Sequence, residues 1–212
     1  MTLFPDAIDA MMGQSIIGRA QARGLVTITA HQIREYTTNK QMQVDDYPYG
    51  GGRGAVMQAD PLYRCWDHIC QEAGERLHTI YLSPCGRVFD QQVAKELKAS
   101  YERLILVCGH YEGVDQRCID ECVDEEISMG DFVLTGGEIP AMALADCLCR
   151  MVPGCCRRRA ATPTSPTGTV CWSTRSTHGR RSGMVERCRR CCYRDIMGRW
   201  TTGGKKRAIN AL

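Results

Sequence analysis

The first 154 positions of the chain carry their apolar residues in two patterns. Short runs of apolar and β-branched side chains, which strands favour, lie at 25–30, 79–82 and 104–108, and the last of these is apolar without a break. Between the last two runs, residues 88–101 carry apolar side chains at helical spacing. The pattern therefore predicts three strands, and the last two are joined through a helix.

Strands with unbroken apolar runs are buried on both faces, as the strands of parallel sheets usually are. A second helix is expected at 140–151, because Pro140 suits a first turn while Pro153 and Gly154 end the pattern. We therefore predict an α/β fold around a parallel sheet. Ligands of such folds bind beyond the carboxyl ends of the strands.

The composition of the chain changes after Gly154. Residues 1–154 carry a net charge of −9, whereas residues 155–212 carry a net charge of +12. The second stretch contains no Leu or Phe before its final residue, so it lacks the side chains of an ordinary core. We predict one folded domain at 1–154 and an aberrant, disordered basic tail at 155–212.

Nothing in the apolar pattern indicates a membrane protein. No apolar run approaches the ~20 residues of a membrane span, and the first residues do not read as a signal peptide, so we expect a cytoplasmic protein without membrane contact. The eight cysteines before Gly154 lie mostly in apolar patterns, which favours small buried thiols. The cysteines at 188–192 resemble half of a metal site, but no second half has suitable spacing, so we expect no metal.

Three glycine-containing loops follow the apolar runs, at 81–87, 108–117 and 127–140. Each glycine taken alone is explained by a turn that needs a positive φ. Loops that leave adjacent buried strands meet at one edge of the sheet, and their glycines let backbone amides approach a ligand closely. We therefore expect a ligand site where the three loops meet.

The order of four motifs points to a family. The segments VDDYPYGGG at 44–52, YLSP at 81–84, CGHYEGVD at 108–115 and GDFVLTGGE at 130–138 resemble those of bacterial tRNA (guanine-N1) methyltransferases of the SPOUT class. The resemblance extends over residues 2–154. It implies a parallel sheet with a deep trefoil knot, a homodimer, S-adenosyl-L-methionine as cofactor, and methylation of the tRNA guanosine 3′ of the anticodon.

The resemblance also implies roles for individual residues. Asp45 resembles the residue that contacts the target guanine, and Arg150 matches the catalytic-site arginine at the end of a helix. A carboxylate can accept hydrogen bonds from the N1–H and amino group of guanine. The implied cofactor-binding residues are Tyr81, Leu82, Ser83, Pro84, Gly109, Tyr111, Glu112, Ser128, Met129, Gly130, Asp131, Phe132, Val133, Leu134, Gly136, Gly137 and Pro140.

The chain departs from the family pattern after Gly154. The family uses a linker aspartate as general base, and residues 155–185 contain neither Asp nor Glu. If residues 155–212 are translated one base out of frame, codons permitted for 167–180 read HWDGLLEYPQYTRP in the neighbouring frame, and those for 188–203 read VPEVLLSGHHGQVDDW. Both strings resemble the family's tRNA-binding domain, so we interpret the tail as frameshifted.

Two other functions remain open from the sequence. One is a knotted ribose 2′-O-methyltransferase, against which the aspartates and glycines of 44–52 argue. The other is an inactive, basic nucleic-acid-binding product in which the positively charged tail contacts phosphates.

Overall fold

The computed structural model describes residues 1–48, 51 and 53–156 of the chain. Within these residues, helices alternate with short strands along the sequence. In chain order the elements are α1 (Pro5–Met12), α2 (Ser15–Ala22), a 3-10 helix (Ile33–Tyr36), β1 (Asp45–Asp46), β2 (Val56–Met57), α3 (Ala59–Ala73), β3 (His78–Val88), α4 (Gln91–Ser100), β4 (Leu104–Val107), α5 (Gln116–Cys122), β5 (Glu125–Ser128) and α6 (Glu138–Met151).

A three-stranded parallel sheet has β3 at its centre, in the order β4-β3-β5. Ile80 of β3 lies opposite Leu106 of β4 and Glu125 of β5. α4 connects β3 to β4 and packs against α6. The predicted α/β class, parallel sheet and strand–helix–strand unit are therefore confirmed.

Both predicted helices form, with shifted starts. α4 begins at Gln91 because the Asp90 carboxylate accepts from the backbone N–H groups of Gln92 and Val93, each at 2.8 Å, which caps the helix. α6 begins at Glu138, two residues before Pro140, which lies in its first turn. Gly137 precedes it at the cap position.

The predicted strand at 25–30 is wrong. The structure assigns these residues to no strand, although they are described throughout. The parallel bridge in this region joins Thr2 to Gln32, beyond the end of the apolar run. A strand needs a neighbour in a hydrogen-bonded ladder, and in the described part of the chain none lies beside 25–30. The run instead lines an open groove.

The first glycine-containing loop is not a simple exit from its strand. β3 does not end at Leu82 but continues to Val88. Leu82 and Arg87 both lie opposite Ile127 of β5, so residues 83–86 bulge out of the ladder and the chain then returns to it. Residues 83–86 therefore leave the sheet as expected. Arg87 does not, because it is paired with β5.

Buried apolar side chains form three clusters, on the two faces of the sheet and beneath α1 and α2. Five of the eight cysteines before Gly154 are buried, which confirms the expectation of small buried thiols for most of them; Cys85 is exposed. Burial raises the pKa of the Cys65 and Cys108 thiols to about 12. These thiols are packing groups at neutral pH.

The folded packing extends slightly beyond the predicted boundary at Gly154. Cys155 is buried in the cluster beneath α1, beside Ile8 and Met12. The basic tail predicted to be disordered begins at residue 155. From residue 157 onward it lies outside the described residues. In residues 1–156, as far as the structure describes them, no helix is both long and apolar enough to cross a membrane.

Candidate functional site

The three glycine-containing loops meet in one pocket. Its volume is about 160 Å³, and it lies at the bulge of β3 and at the carboxyl ends of β4 and β5, the edge of a parallel sheet where ligands bind. The lining residues are Tyr81, Leu82, Ser83, Pro84, Gly109, His110, Tyr111, Glu112, Gly113, Ile127, Ser128, Met129, Phe132, Val133, Leu134, Thr135, Gly136, Gly137 and Pro140.

Close contacts between backbones hold the second and third loops together. The N–H of Gly137 donates to the carbonyl oxygen of Gly109 at 2.8 Å. A Cβ atom on Gly137 would lie 2.7 Å from the Cα of Cys108, and one on Gly109 would lie 2.8 Å from the ring of Tyr81. These two glycines are therefore required by the packing of the loops, whatever their turn geometry.

The bulge in β3 forms the first wall of the pocket. The Ser83 hydroxyl accepts from the N–H of Cys85 at 3.2 Å and stabilises the outward turn. Pro84, at the same turn, is exposed and lines the pocket.

The third loop begins with a compact turn and continues as an exposed apolar stretch. The buried Ser128 hydroxyl lies 3.1 Å from both the N–H and the carbonyl oxygen of Gly130, whose φ is +142°. Phe132 and Val133 follow, with 55% and 82% of their surfaces exposed. Large apolar side chains exposed at the rim of a pocket are typical of a surface that another molecule covers.

The residues predicted from the sequence mostly share this one pocket. Fifteen of the seventeen implied cofactor residues line it, whereas Gly130 and Asp131 do not. The sequence analysis did not single out His110, Gly113, Ile127 and Thr135, which also line it. All four lie inside the three loops or at the end of β5. Their position within these loops could have identified them from the sequence as lining residues.

A buried carboxylate lies beside the third loop. The Glu138 carboxylate, with 8% of the residue exposed, accepts from the Thr2 hydroxyl at 2.9 Å. His110 lies close by, since a Cβ atom on Gly136 would meet both Glu138 Oε2 at 2.5 Å and His110 Nδ1 at 2.7 Å. The buried His110 Nδ1 has no hydrogen-bond partner among the residues described.

Asp45 lies outside the pocket, on a hairpin that is attached to it. In this hairpin Asp45 of β1 pairs with Met57 of β2. The N–H of Met57 donates to the carbonyl oxygen of Gly113 at 2.9 Å, and the N–H of Glu112 donates to the carbonyl oxygen of Ala55 at 3.0 Å. One strand therefore connects Asp45 to the second loop.

Arg150 is exposed in the last turn of α6 and does not line the pocket. This position also suits a cation that interacts with the carboxyl end of the helix. Among the residues that the structure describes, no group of three or more His, Cys, Asp or Glu side chains could hold a metal ion.

The chain matches the family described as tRNA (Guanine-1)-methyltransferase TrmD over residues 1–165. The chain belongs to this family. The resemblance inferred from the four motifs is thereby confirmed.

Three similar proteins illustrate the TrmD-family relationship. A tRNA (guanine-N(1)-)-methyltransferase of Ruminiclostridium cellulolyticum is 52% identical over 154 residues, which are 73% of this chain and 66% of the relative. One of Alkaliphilus oremlandii is 51% identical over 159 residues, covering 73% and 64% of the two chains. A crystal structure of tRNA (m1G37) methyltransferase from Aquifex aeolicus has a TM-score of 0.68 at 36% identity, covering 78% of this chain and 73% of that one. The chain spans just under two thirds of the length of these curated relatives.

Proposed function

We propose that the pocket binds S-adenosyl-L-methionine and that the chain is built to methylate N1 of the guanosine 3′ of the anticodon in tRNA. Membership of the TrmD family supports this activity, and the names of the relatives favour guanine N1 over the ribose 2′-hydroxyl. The observation that carries the cofactor assignment is the meeting of three glycine-containing segments in one pocket, at the bulge of β3 and the carboxyl ends of β4 and β5.

The chemistry of the lining fits this cofactor. Leu82, Met129 and Leu134 offer apolar contacts for a flat adenine ring, and backbone groups beside the glycines offer hydrogen bonds for base and ribose. The volume of about 160 Å³ is below the roughly 300–1,000 Å³ of most ligand sites. The remainder of the ligand therefore extends over the rim, toward Glu112 and Phe132.

The bound cofactor supplies an electrophilic methyl group, and the residues of the chain position the guanine and manage its proton. Asp45 accepts from the guanine edge, which would place the base beside the second loop through the β1–β2 hairpin. Arg150 balances negative charge as N1 loses its proton. Residues 155–185 offer no carboxylate as general base, so we expect slow turnover by this chain.

The same proposal includes a homodimer and a trefoil knot. Phe132, Val133 and Leu134 form an exposed apolar rim that a second subunit would cover. Gly137 brings the third loop against the second at backbone distance, which is the close packing that a knotted crossing requires.

Titration calorimetry with the 212-residue chain tests cofactor binding. We expect S-adenosyl-L-methionine to bind the unchanged chain and to bind Leu134→Asp at least tenfold more weakly, because a carboxylate at the rim opposes an adenine contact. Val88→Asp is the matched control, since Val88 is exposed on β3 away from the pocket and should leave binding unchanged. Absence of binding to the unchanged chain would refute the cofactor assignment.

Nucleoside analysis of tRNA after incubation tests the methylated position. We expect slow formation of 1-methylguanosine at the position 3′ of the anticodon. Methyl groups found on ribose oxygens would instead support the 2′-O-methyltransferase. Binding of tRNA with no dependence on the cofactor would support the basic nucleic-acid-binding product.

A further inference from the structure

We infer that Met57 is a positioning residue, which holds the second loop (108–117) in the conformation that forms the pocket. Met57 ends β2, is fully buried and does not itself line the pocket. It therefore acts on a ligand only through the loop that it contacts. This role rests on the proposed function for the identity of the ligand, whereas the conformation of the loop is a property of the free protein.

The second loop contains a residue in an unfavourable backbone conformation. Tyr111 lines the pocket and has a φ of +60°, a left-handed value that residues with bulky side chains rarely adopt. Such a conformation persists only where the surrounding structure imposes it. The contacts on either side of Tyr111 therefore determine the shape of this wall of the pocket.

Residues 55–57 contact the loop on both sides of Tyr111. The N–H of His110 donates to Met57 Sδ at 3.2 Å, and the N–H of Glu112 donates to the carbonyl oxygen of Ala55 at 3.0 Å. Rotation of Tyr111 toward a negative φ turns the adjoining peptide groups, so it would break one or both of these bonds. The side chain of Met57 thus opposes relaxation of the strained residue.

The backbone of Met57 fixes the next part of the same loop. Its N–H donates to the carbonyl oxygen of Gly113 at 2.9 Å, and its carbonyl oxygen accepts from the N–H of Asp115 at 3.0 Å. Met57 and Val114 accordingly form a parallel bridge. On its other side Met57 pairs with Asp45. Met57 therefore lies between the residue proposed to contact guanine and the loop proposed to contact the cofactor.

A leucine at position 57 separates the sulfur from the rest of these contacts. It would keep an apolar side chain of similar volume and the backbone hydrogen bonds, but it would remove the acceptor of the His110 N–H. The conformation with a positive φ at Tyr111 would then be populated less often. Apparent affinity falls in proportion to the competent fraction, so the cofactor should bind more weakly although no residue that lines the pocket has changed.

Amide hydrogen exchange of the free 212-residue chain, measured by NMR, tests the conformation without a ligand. We expect Met57→Leu to speed exchange of the His110 and Glu112 amides at least tenfold. Met12→Leu is the matched control, because it makes the same change at a buried methionine beneath α1, and it should leave both amides unchanged. Equal exchange rates in the two variants would overturn the role of Met57.

A second change distinguishes support of a strained residue from simple packing. Asparagine tolerates a positive φ better than tyrosine does, so Tyr111→Asn should make the support from Met57 less necessary. In that background we expect Met57→Leu to speed exchange of the Glu112 amide less than threefold. A tenfold increase in both backgrounds would show that Met57 does not act on the conformation of Tyr111.

Titration calorimetry with S-adenosyl-L-methionine measures the consequence for the pocket. We expect Met57→Leu to bind at least fivefold more weakly than the unchanged chain, and Met12→Leu to bind equally well. Faster amide exchange together with unchanged affinity would overturn the positioning role. Absence of binding to the unchanged chain would instead refute the cofactor assignment, and the exchange rates of the free chain would still decide whether Met57 holds the loop.

Discussion

The backbone N–H of Gly137 donates to the carbonyl oxygen of Gly109 at 2.8 Å, so two loops that are 28 positions apart in sequence touch without side chains between them. A methyl group on Gly137 would meet the backbone of Cys108, which directly follows β4 and cannot move aside as a flexible side chain could.

Gly137→Ala should therefore destabilise the fold. We expect a loss of roughly 1–3 kcal/mol, the usual range for overpacking, together with weaker cofactor binding because the third loop moves outward. Urea unfolding measures the first effect and calorimetry the second. Ala143→Ser on the exposed face of α6 is the control and should change the free energy of unfolding by less than ~0.5 kcal/mol. An unchanged midpoint for Gly137→Ala would contradict the close approach.

The hydrogen bond from Thr2 to Glu138 joins the start of the chain to the start of α6. Thr2→Val keeps the shape of the side chain but leaves the buried Glu138 carboxylate without this donor. We expect a loss of roughly 1–3 kcal/mol, the cost of leaving a buried polar group unsatisfied. Thr2→Ser keeps the hydroxyl and should recover most of that loss in urea unfolding. Equal losses for the two variants would show that packing of the methyl group, not the hydroxyl, is what matters.

The Asp115 carboxylate caps α5 and introduces a pH dependence. The side chain and the backbone N–H of Arg117 both donate hydrogen bonds to the Asp115 carboxylate. These bonds hold the pKa of Asp115 below its ordinary value of 3.8. A folded-state pKa below the unfolded value means that this contribution to stability is present above about pH 4 and is lost as the pH falls through the folded pKa.

Comparison with Asp115→Asn should reveal that contribution. The difference in unfolding free energy between the two proteins should be constant from pH 7 to 5 and shrink as the pH falls below 4. Asp9→Asn on the exposed face of α1 serves as a control. A difference between the Asp115 proteins that grows on acidification would reverse the sign expected from the lowered pKa.

The proposed function, with the interpretation of the tail as frameshifted, predicts faster methylation once the gene is read in the neighbouring frame after the Gly154 codon. Inserting one base after the Gly154 codon would replace the basic tail by a sequence that contains HWDG. The linker would then carry a carboxylate. Because a general base contributes typically 10²–10⁴-fold, we expect the rate of 1-methylguanosine formation to rise by at least 10². The control is a gene that gains a whole codon at the same position. Equal rates for the 212-residue and restored chains would show that the linker carboxylate is not required.

The sequence predicted the central strands of the fold and the meeting of the three loops in one pocket, and it did so for one reason. The short apolar and β-branched runs at 79–82 and 104–108 identify buried strands, and the residues that follow such strands meet at one edge of the sheet. For β3 and β4, the apolar pattern of each strand agrees with its buried place in the parallel sheet. The position of Asp45 relative to the pocket could not be predicted, because it depends on two-residue strands without any periodicity.

The error at 25–30 has a different origin. Strand propensity describes the residue itself, whereas a strand also requires a neighbouring backbone that the residue cannot specify. The extension of β3 to Val88 was missed because Ser83 and Pro84 are ordinary signals of a strand end. Only the return of Arg87 to Ile127 shows that the ladder resumes.

Because Arg87 returns to Ile127, the length of the bulge at 83–86 is independent of the alignment of β3 with β5. Since Leu82 and Arg87 both lie opposite Ile127, the alignment of β3 with β5 is set on each side of residues 83–86 independently. An insertion or deletion inside this short arc alters the wall of the pocket while every pairing before and after it stays in place. The shape of the pocket wall can therefore be changed through the length of this arc without redesigning the sheet.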